Sequence, residues 1–128
     1  MRPETLEWVE KAEGDFQTAG REAAVAEAPN FSAVCFHAQQ SAEKYLKALL
    51  VEHEVLFSQD SQLADARRAF ASGKDRHRID CRPLARLTPY GIDVRYPVGR
   101  PDANAAKEAM PDCATVRSLL RKLLGMLL

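Results

Sequence analysis

Net charge is the first thing this chain lacks. Its 18 Lys and Arg are matched by 18 Asp and Glu, so no overall field draws in nucleic acid or an anionic membrane, and such a contact needs a local patch. A long apolar run is missing too: nothing approaches the ~20 residues that span a bilayer. The opening stretch, MRPETLEWVEK, is charged too early to hold the apolar core of a secretion signal. A cytoplasmic protein with no membrane partner is the expectation. The cysteines are odd in number, Cys35, Cys81 and Cys113, and form no CxxC pair, which argues against a disulfide framework or a zinc site. They read as small hydrophobes, Cys35 and Cys113 lying on apolar stripes. His77 and Cys81 stand four apart, but two ligands are too few to hold a metal. No metal and no cofactor are expected. No segment alternates apolar and polar residues for more than four positions, and there are no repeats or low-complexity tracts, which leaves an all-α chain.

What is present is helical. The 128 residues suit one domain spanning 1–128, and folding at this length buries roughly two-thirds of the unfolded surface, enough for a core without staples. The spacing predicts a first helix from Glu4 to Ala28, with Val9, Ala12, Phe16, Ala19 and Ala23 along one side, stopped by Pro29. Asn30 is placed to cap a second helix, Phe31 to His53. The short break between them predicts an antiparallel hairpin. A weaker helix is expected over Ser61 to Ala71, then a polar loop from Gly73 to Arg78. A short fourth helix follows, with Asp80 as cap, Pro83 in its first turn, Leu84 and Leu87 facing inward, and Pro89 and Gly91 at its end. DVRYPVGRPD, ending at Asp102, reads as extended loop. The last helix starts at Ala103 with Asp102 as cap and carries an apolar line through Ala105, Ala109, Cys113, Val116, Leu120, Leu123 and Leu127. Pro111 should kink or split it. An up-and-down bundle of four or five helices follows.

The second helix, FSAVCFHAQQSAEKYLKALL from Phe31 to Leu50, carries chemistry on more than one side. Phe31, Val34, Cys35, Ala38, Ala42, Tyr45 and Leu49 step by three and four and make one apolar stripe. Phe36, Gln40, Glu43 and Lys47 fall together opposite it, flanked by His37 and Lys44. A ring beside an amide, an acid and a base predicts a second contact surface, and these residues are the candidate partner- or ligand-binding set.

The same residues carry a resemblance. CFHAQQSAEKYLKALL, Cys35 to Leu50, resembles the second-helix signature H-x-x-Q-x-x-E-K-x-x-K-A of the HEPN domain family. Val94-Arg95-Tyr96-Pro97 resembles the Arg-Tyr-Pro turn that family places before its last long helix. Asp15 in helix one and the alanine-lined last helix also fit, over roughly Glu4 to Leu124. The resemblance implies a four- or five-helix bundle that commonly dimerises. It also implies a neighbouring minimal nucleotidyltransferase, often in a toxin–antitoxin pair whose HEPN chain is a ribonuclease. It adds Arg95 and Tyr96 to the candidate set.

The ribonucleases of that family are marked by Arg, four to six residues, then His. Here no Arg stands at that distance before His37, His53 or His77, and no histidine follows Arg95. Without an imidazole to move a proton near neutral pH, the expected role is a dimeric interaction or nucleotide-binding module, leaning against an enzyme. A divergent metal-independent ribonuclease using Arg95 with His37 or His77 is the alternative. Lys47 and Arg95 would meet phosphate and Tyr96 would stack on a base in the nucleotide-binding case. Otherwise Glu43 and Lys47 are a surface i, i+4 pair, and Arg95 ties its loop to Asp15 or Glu43. Lys74, Arg76, His77, Arg78 and Arg82 form the best local candidate for RNA, read by default as a solvated loop.

Overall fold

A single turn around Pro29 and Asn30 sets the architecture. The computed structural model describes residues 1–58, 60–73, 79–91 and 100–126. Among these the chain is all-helical: α1 (Pro3–Ala23), α2 (Phe31–Glu52), α3 (Leu63–Ala71), α4 (Arg82–Leu87), a 3-10 turn (Thr88–Gly91) and α5 (Ala103–Leu123). Asn30 caps α2 as expected, its Oδ1 accepting the Ala33 N–H at 3.0 Å. Asp102 does the same for α5, accepting from Ala105 at 2.9 Å. α1 ends five residues before the predicted Ala28. Residues 23–28 are all exposed, so continuing the helix would bury nothing. Ala28 instead takes a left-handed φ of 49°, and the Glu22 carboxylate accepts the Asn30 N–H at 2.6 Å, drawing the chain round.

Two other boundaries move. α3 starts at Leu63 rather than Ser61, because the Asp65 carboxylate accepts the Gln62 N–H at 3.1 Å and closes the first turn there. At α4, Cys81 occupies the cap position, while Asp80 accepts the Arg82 N–H at 3.0 Å from one residue earlier. α5 runs unsplit through Pro111. A mid-helix proline costs about 3 kcal/mol, and the buried line Ala106, Ala109, Cys113, Val116 and Leu120 holds both halves against their neighbours.

α2 is the axis of the molecule. α1 packs along it more extensively than any other pair does, α5 comes next, and α3, α4 and the 3-10 turn cover what remains; the α1 and α5 backbones approach at few points and meet chiefly through side chains. The predicted stripe is buried from Val34 to Leu49, with Phe31 half-buried. So too are Gln39, Ser41, Glu43, Leu46, Lys47, Ala48, Leu50 and Val51. A helix covered nearly all round is a core element. Ala23, predicted to face inward, is exposed at the frayed end of α1.

A polar tie joins three helices. The Tyr45 hydroxyl donates to the Glu13 carboxylate and accepts from Arg121 at 3.1 Å. Arg117 forks onto Glu13 at 2.5 and 3.2 Å while lying 4.8 Å from the Phe16 ring centroid. Burial raises Tyr45 to about 12, helped by the Glu13 contact. For Glu13, burial pushes upward, but hydrogen bonds from Arg117 and Tyr45 outweigh it and hold the carboxyl below its ordinary 4.5. A carboxyl depressed on folding contributes stability above its unfolded value that is lost as pH falls through its folded value. The stability gap between the native chain and Glu13→Gln should therefore narrow as urea melts are taken below pH 4.5. A gap independent of pH would contradict the tie.

The cysteines behave as small core residues. Burial raises Cys35 and Cys113 each to about 11, with Asp102 adding to the effect at Cys35 and Ser41 opposing it at Cys113. Cys81 is half-buried. In the folded chain iodoacetamide should label Cys81 first and leave the other two protected until unfolding, as read by peptide mass spectrometry.

Candidate functional site

Beyond the first two residues of α2, Phe31 and Ser32, one stripe of the helix keeps solvent exposure among the described residues. Ala33, Phe36, His37, Gln40 and Lys44 are half-buried, at helical spacings of three and four, whereas the residues on either side are buried. Four of these five belong to the candidate set. Phe36 meets the His37 ring edge-on, with centroids 5.3 Å apart. α1 supplies the rest of the window. The Asp15 carboxylate takes His37 Nδ1 at 2.8 Å on one oxygen and the Lys44 ammonium on the other. Asp15 itself retains 12% side-chain exposure against 30% for His37, so the acid is the buried support and the imidazole the presented group. With Nδ1 engaged, Nε2 is the ring nitrogen left to meet a ligand.

Glu43 and Lys47 do not join this window. The expectation of a solvent-facing pair is corrected here: their relative exposures are 7% and 3%. They share the stripe's angular position on the helix, but the segment after α2 folds back over them. Lys47 Nζ lies 5.2 Å from the Trp8 centroid and 6.0 Å from that of Phe57, and those two rings pack tilted at 6.1 Å. The rings of Trp8 and Phe57 thus cap the lower half of the polar face.

A buried ladder of polar groups connects the two halves. Gln40 donates to Gln39 Oε1 at 2.8 Å, Gln39 Nε2 reaches Glu43 at 3.5 Å, and Lys47 reaches Glu43 at 3.4 Å. The 3-10 turn presses on this ladder. A Cβ placed on Gly91 would stand 2.6 Å from Gln39 Nε2, so glycine lets the turn approach the amide. Gln39, fully buried, was outside the candidate set, although its place beside Gln40 and one turn before Glu43 was the available signal. The sequence offers Asp15 through the resemblance and as a partner for Arg95; its contacts with His37 and Lys44 need tertiary structure to see.

Arg95, Tyr96 and His77 lie outside the described residues, as do Lys74, Arg76 and Arg78 of the basic loop. Among the described residues no three His, Cys, Asp or Glu side chains converge as metal ligands, and no helix is long and apolar enough to cross a membrane.

A family model for the HEPN domain matches residues 5–123. This chain belongs to the HEPN family. No curated protein and no solved structure matches it. In this HEPN chain the signature splits by role: Gln40, Glu43 and Lys47 run as a ladder into the core, while His37 and Lys44 share one acid from α1. Of these residues His37 and Lys44, with Phe36 and Gln40 beside them, keep solvent exposure, while Glu43 and Lys47 do not.

Proposed function

We propose that this HEPN chain acts as one half of a dimeric interaction module, joined through the α2 window and paired with a separate minimal nucleotidyltransferase in a toxin–antitoxin-like system. The observation that carries the reading is the window itself. Away from its two ends, α2 is covered by the described chain except along Ala33, Phe36, His37, Gln40 and Lys44, and this stripe sets an aromatic ring among groups able to pair across an interface. Aromatic anchors ringed by polar groups are the usual energetic centres of protein contacts. HEPN domains commonly dimerise, which agrees with a face of this composition. Sedimentation equilibrium should show a dimer at micromolar concentration, and Phe36→Glu should return it to monomer with unchanged helicity. The co-encoded nucleotidyltransferase should be retained on the immobilised native chain. A native chain that stays monomeric and retains no such partner removes the reading. Nucleotide binding at the same window would use the Lys44 cation, and calorimetry with ATP and GTP tests it directly.

One observation favours a second reading, a divergent metal-independent ribonuclease. The Asp15 contact at His37 Nδ1 orients the imidazole as a proton-transfer group. Under that reading single-stranded RNA is cut in the presence of EDTA and His37→Ala abolishes cutting. Equal activity in the variant rejects it.

A further inference from the structure

The molecule is neutral overall but not evenly so. From Arg67 to Arg86 there are seven Lys or Arg against two Asp, and the described part of this stretch builds a groove. It lies between α3 and α4 as a shallow, open depression of about 400 Å³ lined by Arg67, Arg68, Ala71, Cys81, Arg82 and Ala85. The floor is small and apolar, and the rim is guanidinium. The arginines of this flank already display their preference. Arg82 grips Asp80 through contacts of 2.7 to 3.0 Å, Arg86 forks onto Asp112 at 2.8 and 2.9 Å, and Arg68 pairs with Asp65. Arg67 is half-buried and pairs with no carboxylate among the described residues.

We propose that this groove docks an acidic segment of a partner protein, one whose carboxylates flank a leucine-sized side chain. The carboxylates meet Arg67 first and then compete for Arg68 and Arg82, whose own pairs are surface pairs and exchange readily. The apolar residue sits on Ala71 and Ala85, which are exposed among the described residues, and buries their surface. Planar guanidinium forks match carboxylates in two-point contacts. Among the described residues no aromatic ring lines the groove to stack a base, which favours an acidic peptide over a single nucleic-acid strand. The proposal does not depend on the α2 window or on dimerisation.

The test uses the full chain and a short fluorescein-labelled peptide of glutamates with leucines at helical spacing. Fluorescence anisotropy at low salt should show saturable binding that weakens as salt is raised. Arg67→Glu should weaken it by about tenfold or more, and Arg82→Gln should weaken it less, both with native circular dichroism. Replacing the peptide's leucines by serine should also weaken it, because the floor then gains nothing. Undiminished binding to Arg67→Glu overturns the proposal. So does preference for oligouridylate over the peptide, or a change in the chain's own sedimentation on Arg67→Glu, which would make the groove a contact between copies.

Discussion

Lys47→Met should cost the folded chain about 3–5 kcal/mol, the penalty for stranding a buried carboxylate. Lys47 and Glu43 are 3% and 7% exposed, and the Lys47 ammonium stands 3.4 Å from Glu43. Methionine keeps the stem that packs beneath Trp8 and Phe57 but removes the charge. Glu43 is then left with a Gln39 amide at 3.5 Å, too weak a partner for an ionised group in that setting. The double variant Glu43→Gln, Lys47→Met should recover most of the loss and come within about 1 kcal/mol of the native chain, because buried pairs replaced together are often neutral. Urea melts with a constant slope give the comparison. A single variant as stable as the native chain would mean that the pair is hydrated.

Leu49→Ala should be a severe truncation in α2, at about 2–5 kcal/mol, from lost transfer energy plus the cavity left behind. Leu49 is 1% exposed on the axis of the bundle, where neighbours from several elements hold their places and the space cannot collapse. Leu56 makes the control. It is 96% exposed just past the end of α2, so Leu56→Ser should change stability by no more than about 0.5 kcal/mol. Two leucines one short segment apart thus report whether the chain turns outward where the structure has it. Equal costs would mean that the post-α2 segment packs differently and that the cover over Lys47 is wrong.

The sequence reading was strongest where local rules act alone. Asn30 and Asp102 cap their helices because a side-chain oxygen reaches a free N–H two or three residues on, a geometry written into adjacent positions. The apolar stripe of α2 survived for the same reason: period 3.6 sorts residues by face whatever they later touch. The end of α1 was misjudged because helix propensity ran on through the alanines of residues 23–28, while stopping depended on whether a neighbour was there to bury them. Pro111 was weighed by its local cost, and packing along the whole of α5 exceeded it.

The candidate site divides along the same line. By itself the sequence determined that α2 carries Phe36, His37, Gln40, Glu43, Lys44 and Lys47 on one polar side, since helical phase follows from residue number. It also determined that this pattern is that of the HEPN family. Tertiary structure alone decided which of them a partner can reach. Trp8 comes from α1 and Phe57 from beyond α2, and their closure over Lys47 turns two signature residues into core. Asp15 arrives from the neighbouring helix to fix His37 and Lys44 at the surface. Phase along a helix is a local property, but exposure depends on what other segments lay across it, and that is set by the free energy of the whole packed chain.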